Sequence, residues 1–330
     1  MKRLLLIVSS IFALVACSNE GASQSANKAI SFSNVSTRAD VATMETLQDN
    51  GFGVWAGMKN GDGYTQILDN ELVTYNAGNW DYTNTRYWVD DYIFSFVACY
   101  PRNDEDNQYF SLDANNDNSV KLSVSETPSE VDFLMATNKT DTNVENYATT
   151  VNLQFRHMLT QVSLNIWRDH GKHQNDQMRI KKVTLSNIYK GGTYTTAADA
   201  WSLSNGKLNC EYVNDSELTD DDNIGAAIVK DDGTLDTQSN KPATPFDKMM
   251  LIPQNSSNIL LKIAYQLKRQ NAAEWEDAEL ETFLNVNWEL GKRYTYNVVL
   301  SSVTDITIYY IQTKVDPWGT PQVGGTVIIK

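Results

Sequence analysis

Short apolar runs of strand length recur along the whole chain, and clusters of Asn, Asp and Gly separate them. The runs are rich in Val, Ile, Thr, Tyr and Phe, and helical periodicity is almost absent, so the pattern predicts an all-β protein. The predicted strands are residues 52–56, 92–100, 151–155, 159–167, 180–188, 249–253, 259–267, 294–300, 304–315 and 325–329.

Alternation inside these runs predicts antiparallel sheets with one face buried. In residues 162–167, Val, Leu and Ile alternate with Ser, Asn and Trp, and residues 304–315 alternate in the same way. Two consecutive sets of strands indicate two β-sandwiches in series, with a junction at the polar stretch 168–176. A second polar stretch, residues 214–244, predicts a long surface loop.

The first residues predict an exported lipoprotein. A basic start is followed by an apolar stretch, residues 4–15, which is too short to span a bilayer, so residues 1–16 are predicted to be a signal peptide. The sequence Leu-Val-Ala-Cys ending at Cys17 resembles the bacterial lipobox, in which the cysteine is acylated, with palmitate as an expected chain. Ser18 after the cysteine favours the outer membrane. The alternative is an ordinary cleaved signal with an incidental cysteine.

The length and the charge of the chain limit the number of domains and the classes of partner. A chain of 330 residues has room for about two domains of about 150 residues each. With 27 basic and 41 acidic residues the formal charge is 27 − 41 = −14, which excludes a sequence-independent binder of nucleic acid.

If Cys17 is acylated, Cys99 and Cys210 are the remaining cysteines, so a framework of several disulfides is absent. Each lies in or beside an apolar run, which predicts small buried side chains. A disulfide between them is the alternative.

A series of short segments carries a family resemblance when their order and spacing are taken together. They are residues 30–33 leading into 37–39, then 52–55, 88, 92–101, 131–136, 155–159, 162–166, 251–254 and 291–298. The series covers nearly the whole chain and resembles the fimbrillin family, the lipoprotein-derived subunits of type V pili.

The resemblance implies two transthyretin-like β-sandwich domains in series, which we place at residues 39–168 and 169–330. It also implies that a trypsin-like protease cuts near the N-terminus. Arg38 matches that position, so Ala39 would begin the mature chain and residues 17–38, a tether and a strand, would be removed. Loss of a strand leaves unpaired backbone groups and an apolar groove that another subunit can fill by strand exchange.

The predicted donor of that strand is the C-terminal tail. Gly324 and Gly325 precede a short run that is apolar on both faces and therefore favours burial on both faces. The run consists of Thr326, Val327, Ile328 and Ile329. Exchange of this kind is head-to-tail, so it gives an open filament. The alternative is that the tail is the last buried strand of its own domain.

Catalytic and metal-binding patterns are weak. His170 and His173 have a spacing that can bind a metal on a helix, but Gly171 lies between them and no cysteine cluster or HExxH motif accompanies them. His157 lies in a predicted strand and is expected to be structural. We therefore predict neither an enzyme nor a metal site, and no cofactor.

Trp80 and Tyr82 follow a predicted loop, where flat aromatic rings could stack on sugars or could equally fill the core. The predicted function is a subunit of a cell-surface fimbria that supports adhesion. Its predicted partners are other fimbrial subunits and a trypsin-like protease, with the membrane reached through the lipid alone. The alternative is a permanently anchored surface lipoprotein that binds a glycan or a host protein through aromatic loops.

Overall fold

A computed structural model describes residues 28–37, 41–113, 118–173, 175–214, 218–229, 235–236, 242–300 and 306–314. Nearly all of their regular structure is β. The prediction of an all-β protein is therefore confirmed.

The elements follow one another in chain order. The first half contains β1 (Ser31–Thr37), α1 (Val41–Asn50), β2 (Phe52–Asn60), β3 (Gly63–Asn76), β4 (Asn79–Tyr82), β5 (Ile93–Tyr100), β6 (Phe110–Leu112), β7 (Val120–Val124), β8 (Leu134–Asp141) and β9 (Thr150–His157). The second half contains β10 (Thr160–Asp169), α2 (His170–His173), β11 (Gln177–Tyr189), β12 (Gly192–Thr195), β13 (Ala200–Leu203), β14 (Lys207–Val213), a 3-10 helix (Asp220–Asp222), β15 (Ala226–Val229), β16 (Leu235–Asp236), β17 (Ala243–Leu251), β18 (Gln254–Lys268), β19 (Glu276–Trp288), β20 (Lys292–Leu300) and β21 (Ile306–Lys314).

Seven strands of the first half close into a barrel in the order β1-β4-β3-β2-β5-β8-β9. Six of the neighbouring pairs are antiparallel, and the seventh, between β9 and β1, is parallel and closes the barrel. Large apolar side chains fill the interior, including Phe52, Trp88, Phe94, Phe96 and Phe155. A barrel removes exposed sheet edges, so its integrity depends on every strand being present.

The sequence pattern did not predict the helix α1. Leu47 is fully buried in the barrel core and Met44, one turn earlier, packs against the same core. The helix ends at Gly51, whose amide donates to the Leu47 carbonyl at 2.8 Å and whose positive φ of 71° suits glycine. A helix of ten residues with so few buried positions is stabilised by packing and shows little periodicity in its sequence.

The second half has two facing layers. One sheet has the order β14-β11-β18-β19, and the other contains β17, β10, β20 and β21. Their facing side chains form one core that includes Val183, Leu251, Ile263 and Val298. The strand β21 pairs with β20 at the edge of the second sheet.

The strand β10 is central and buried on both faces. It pairs in parallel with β20 and, along its other edge, with β17 and β15. Leu164 and Ile166 face the main core of the second half, whereas Trp167 packs against Ala227 and Val299. Other parts of the protein therefore cover both faces of β10. The strand β10 thus pairs with strands of the second half. The domain boundary at residue 168 and the transthyretin-like form of the two domains stay predictions.

The prediction of a long surface loop at residues 214–244 is wrong for part of that stretch. It contains a 3-10 helix and the strands β15 and β16, and Ile224, Ala226 and Ala227 are buried. Ala227 packs against Trp167 and Val299 in a small core of its own.

A small sheet joins the two halves of the chain. The hairpin β12–β13, which we call the clasp (residues 192–203), extends from the second half and pairs with β7 of the first half, and β7 pairs with β6. Together they cover the outer face of the barrel, where Trp55 and Cys99 pack against Leu122 and Tyr194. Ile252 of the second half contributes to the same core.

A polar network fastens the clasp to the barrel. The Tyr194 hydroxyl donates to the Asp199 carboxylate at 2.6 Å, and Arg156 at the end of β9 donates to both groups. Burial raises the pKa of Tyr194, whereas the hydrogen bond from Arg156 lowers the pKa of Asp199. Trp201 donates from its indole nitrogen to the Met158 carbonyl at 3.1 Å.

Both described cysteines are free and buried, as the apolar runs around them predicted. Cys99 lies beneath the small sheet, and Cys210 lies in the core of the second half. Burial raises the pKa of both thiols, to about 11 for Cys210.

Replacing Leu47 by Ala should lower the free energy of unfolding by about 2–5 kcal/mol, because the cavity would lie in the barrel core. Glu45→Ala changes an exposed side chain of the same helix and should alter stability by about 0.5 kcal/mol or less. Urea denaturation followed by tryptophan fluorescence measures both values. Equal stability of the two variants would show that α1 does not support the barrel.

The clasp network should make stability depend on pH. The folded pKa of Asp199 lies below its ordinary 3.8, so its stabilising contribution is present above about pH 4 and is lost as the pH falls through the folded pKa. The difference in unfolding free energy between the wild type and Asp199→Asn should therefore be largest near pH 7 and shrink towards pH 3. Asp62→Asn, at the exposed turn between β2 and β3, is the matched control. A difference that stays constant with pH would contradict the assignment.

Candidate strand-exchange site

The strand β1 forms one wall of the barrel and is held on both edges. It runs parallel to β9, from the pair Ser31 and Thr150 to the pair Thr37 and Phe155, and its Phe32 pairs with Trp80 of β4. The pairing with β9 supplies backbone hydrogen bonds along the strand, whereas the pairing with β4 is at Phe32. A strand with a neighbour on each side fills a groove between them.

The side chains of β1 and of Ile30, just before it, lie on two faces. Ile30, Phe32 and Val35 point into the barrel and are 2%, 4% and 8% exposed. Ser31 and Ser33 lie on the outer face, next to polar side chains of β9 at 3.4 and 3.5 Å. An irregularity between Ser33 and Ser36 adds a residue to β1, so that Val35 still faces inward.

Aromatic rings surround the inward positions. The Phe32 ring lies 5.4 Å from that of Tyr82 and 6.2 Å from that of Phe96, both edge to face. The Tyr82 hydroxyl donates to the Ile30 carbonyl at 3.0 Å and accepts from the Arg86 amide at 3.0 Å. Burial raises the pKa of Tyr82. The groove therefore combines apolar positions with fixed hydrogen-bonding groups.

The residues just before β1 are held by a further stretch of backbone, residues Arg86–Trp88. The Ile30 amide donates to the Arg86 carbonyl at 2.8 Å, and the Trp88 amide donates to the Lys28 carbonyl at 2.9 Å. Ala29 forms a bridge with Tyr87. We call the space lined by β4, β9 and Arg86–Trp88 the acceptor groove.

Trp88 fixes the Arg86–Trp88 segment without help from β1. Its indole nitrogen donates to the Thr149 carbonyl at 2.9 Å, and its ring packs 4.8 Å from Phe94 and 5.7 Å from Tyr147. Trp88 is one of the residues that carry the family resemblance, but the sequence did not predict this role. A backbone edge can be formed by any residue type, so it leaves no pattern in the sequence. The signal that could have suggested this role is a buried tryptophan between two exposed residues, Tyr87 and Val89.

The charge at this end of the groove is mostly acidic. Lys28 lines an open cavity of about 520 Å³ together with Asp90, Asp91 and Glu145. Tyr147 lies in the same cavity and its hydroxyl hydrogen-bonds to Asp90; burial, with a smaller contribution from Asp90, raises its pKa. Lys28 is the one cation among the described residues that line this cavity.

Several predicted site residues lie outside the described residues. They are Cys17, Arg38, Ala39, Thr326, Val327, Ile328 and Ile329. The predicted cut after Arg38 falls in the interval of three residues between the end of β1 and the start of α1. Lipidation, cleavage and strand donation at these positions stay predictions.

Trp80 and Tyr82 pack in the barrel instead of standing on a loop. Trp80 is 8% exposed, with its ring 5.1 Å from Phe52 and 5.0 Å from Tyr75, and Tyr82 is half-buried against Phe32. Both rings thus take the core role that was weighed as an alternative, and contact with a ligand stays a prediction.

The three histidines lie in different surroundings. The His157 imidazole is buried and its Nδ1 lies 2.8 Å from an Asp132 carboxylate oxygen, and its structural role stays a prediction. His170 and His173 begin and end the short helix α2. Among the described residues, no group of three or more His, Cys, Asp or Glu side chains could hold a metal ion. None of the helices among the described residues is long and apolar enough to cross a membrane.

The family of this chain follows from comparison with known protein families. The model of the fimbrillin-like family matches residues 37–318. The chain belongs to the fimbrillin-like family. No curated protein matches this fimbrillin-like chain.

Solved structures similar to the fimbrillin-like chain include candidate cell adhesion proteins. One from Bacteroides uniformis ATCC 8492 is 14% identical, with 88% of this chain and 98% of that chain covered and a TM-score of 0.47. One from Bacteroides ovatus ATCC 8483 is 16% identical, with 92% and 99% covered and a TM-score of 0.45. A fimbrial assembly protein from Parabacteroides distasonis ATCC 8503 is 10% identical, with 87% and 95% covered and a TM-score of 0.37.

Replacing Phe32 by Ala in the uncut protein should lower the free energy of unfolding by about 3–5 kcal/mol, because the side chain fills the groove among aromatic rings. Ser31→Ala, on the outer face of the same strand, should change it by about 0.5 kcal/mol or less. Guanidinium unfolding monitored by circular dichroism measures both. If Phe32→Ala were as stable as Ser31→Ala, β1 would not be a wall of the barrel.

Proposed function

We propose that this fimbrillin-like protein is a structural subunit of a cell-surface fimbria, and that removal of β1 allows it to polymerise by strand exchange. The observation that supports this most directly is the position of β1. It is a barrel wall with three buried apolar side chains, and the predicted cut lies immediately after it.

Cleavage after Arg38 converts an internal strand into a separate peptide. Before the cut, β1 is tied to α1 and rebinds without loss of translational freedom, whereas after the cut it can dissociate. Its departure exposes the edges of β4 and β9, the Trp88 amide and the apolar positions of the groove. Unpaired backbone groups and exposed aromatic rings are both costly in water, so a second strand is favoured in their place.

The tail of another copy is the proposed replacement. The strand β21 ends at Lys314, and 330 − 314 = 16 residues follow it. Sixteen residues suffice for a linker and a strand, and they include the apolar run Thr326–Ile329. One copy gives its tail and accepts another at a different surface, so the assembly grows as an open chain.

The same cut separates the subunit from its proposed anchor. Cys17 lies upstream of Arg38, so an acylated precursor would be held at the outer membrane and released as it becomes competent to polymerise. In this proposal the barrel and the two-layer second half correspond to the two transthyretin-like domains. The function is structural and adhesive and requires no cofactor; its partners are other subunits and a trypsin-like protease.

The decisive experiment follows the precursor before and after limited trypsin treatment. The wild type should yield a chain that begins at Ala39 and forms an SDS-resistant ladder, and Arg38→Ala should give neither. Lys28→Ala is the matched control, because it removes the preceding basic residue and should leave the ladder intact. Intact mass, N-terminal sequencing and unheated SDS gels report the outcome.

Two results would contradict the proposal. A wild-type chain that remains acylated at Cys17 and monomeric in sheared-surface and membrane fractions would favour the permanently anchored, glycan- or protein-binding lipoprotein. Cleavage at Arg38 without any ladder would leave maturation intact but exclude strand exchange.

A further inference from the structure

We propose that the uncharged end of β19 (residues 282–288), together with the cavity beside it, binds a neutral oligosaccharide. This inference deepens the adhesive part of the proposed function, on which its biological meaning rests, and the binding itself requires no cut at Arg38. It follows from an exposed aromatic ring, a group of amide and hydroxyl side chains and the distribution of charge along one strand.

The strand β19 lies at the edge of the sheet β14-β11-β18-β19. In its last six residues every second side chain is buried in the core of the second half, and the others lie on the outer face of the sheet. The outward side chains are those of Phe283, Asn285 and Asn287. Successive outward residues are about 7 Å apart along an extended strand, so one ring and two amides form a row.

The Phe283 ring is 56% exposed, more than any other large apolar side chain among the described residues. Its cross-strand neighbour on β18 is the partly buried Leu260. One ring beside one leucine covers far less area than a stable protein interface, which buries about 800 Å² on each partner. A flat exposed ring can instead pack against the C–H face of a sugar, whose hydroxyls stay free at its edges.

A cavity of about 380 Å³ lies beside the two amides, a volume within the range of small-molecule sites. It adjoins an irregularity of β18 between Ser256 and Ile259, where β18 has one residue more than β19. Asn187 of β11 holds this irregularity by donating from its side-chain amide to the Asn258 carbonyl at 3.0 Å. The polar residues of the lining, other than tyrosines, are Asn255, Ser256, Ser257, Asn285, Asn287 and Glu289.

Several of these polar groups are available to a ligand. In the part of the chain that the structure describes, the side chains of Asn255, Ser257 and Asn285 have no hydrogen-bond partner, and all three are exposed. An amide offers both donors and an acceptor, and a serine hydroxyl offers both roles in one group. Sugar hydroxyls also donate and accept, so this lining matches them in both roles.

Two buried tyrosines form the inner wall of the cavity. Tyr294 and Tyr296 are 4% and 6% exposed. The Tyr294 hydroxyl donates to the Asn287 carbonyl at 2.7 Å and accepts from the Glu289 amide at 3.1 Å. The Tyr296 hydroxyl accepts from the Trp288 indole nitrogen at 2.8 Å. The wall is therefore fixed before a ligand arrives, which lowers the entropic cost of binding.

The distribution of charge favours an uncharged ligand. Glu289, the one charged side chain among the described residues that line the cavity, forms an ion pair with Lys292. The acidic residues lie towards the other end of β19, where ion pairs join Lys262 to Glu279 and Lys181 to Asp277. An anionic or cationic sugar would thus lose part of its hydration at the uncharged end without gaining an ion pair.

Titration calorimetry of the uncut protein tests the class of ligand. The neutral probes are cellotriose, maltotriose, mannotriose and triacetylchitotriose, and the charged probes are trigalacturonic acid and the trimer of glucosamine. We expect at least one neutral trisaccharide to bind about ten-fold or more tightly than either charged one.

Variants of the outer face test the position. Phe283→Leu keeps an apolar side chain but removes the flat ring, and Asn285→Asp removes the amide donors, so each should weaken binding about ten-fold or more. Phe283→Trp should preserve it. The matched controls lie on β14, the opposite edge of the same sheet: Val213→Ala and Asn209→Asp change exposed residues and should leave the affinity within about two-fold.

Three results would overturn the inference. The first is no heat of binding from any neutral trisaccharide at about 10 mM, which would largely saturate a site with a Kd of about 1 mM. The second is binding that Phe283→Leu and Asn285→Asp leave unchanged, or that is tighter for a charged probe. The third is a dimer of the uncut protein in sedimentation that Phe283→Leu dissociates, without sugar binding, which would make this face a contact between copies.

The two proposals fail separately. A ladder after cleavage without sugar binding overturns the saccharide site and keeps strand exchange. Sugar binding by the uncut protein without any ladder after cleavage keeps the site and excludes polymerisation by strand exchange.

Discussion

The parallel pairing of β1 with β9 is the interaction on which the barrel depends, because it joins the two ends of a sheet that would otherwise have two open edges. The other six neighbouring pairs in the barrel are antiparallel. The strand that closes the barrel comes from the N-terminal segment, and the predicted cut lies between it and the rest of the fold. The strand that closes the barrel and the predicted cut therefore lie in the same short segment.

Other contacts within the molecule do not involve β1. The clasp crosses from the second half to the outer face of the barrel, and Tyr194, Asp199 and Arg156 fasten it there. A separate core under the small sheet contains residues from both halves. The second half has its own two-layer core around β10. Loss of β1 consequently opens one groove and leaves three other sets of contacts in place.

The strands with long apolar runs bounded by turn residues could be predicted from sequence, as in β5, β11, β18 and β20. The helix α1 could not be predicted, since one fully buried leucine gives no helical period. The strand β15 could not be predicted either, since it begins with two alanines, which carry little apolar signal. Trp80 and Tyr82 were ambiguous because aromatic rings suit both cores and ligand sites, and burial in the barrel is a tertiary property. The part of the groove formed by Arg86–Trp88 acts through backbone atoms, which leave no pattern in the residue types.

The two-sided support of β1 has a mechanical consequence for the proposed fimbria. A strand bonded along both edges and pulled along its own axis is loaded in shear, so many hydrogen bonds share the force and must break together. Peeling from one end would instead break them one at a time. A tail seated between β4 and β9 would therefore give a non-covalent junction that resists tension along the filament, which is the load that flow exerts on a fibre attached to a cell.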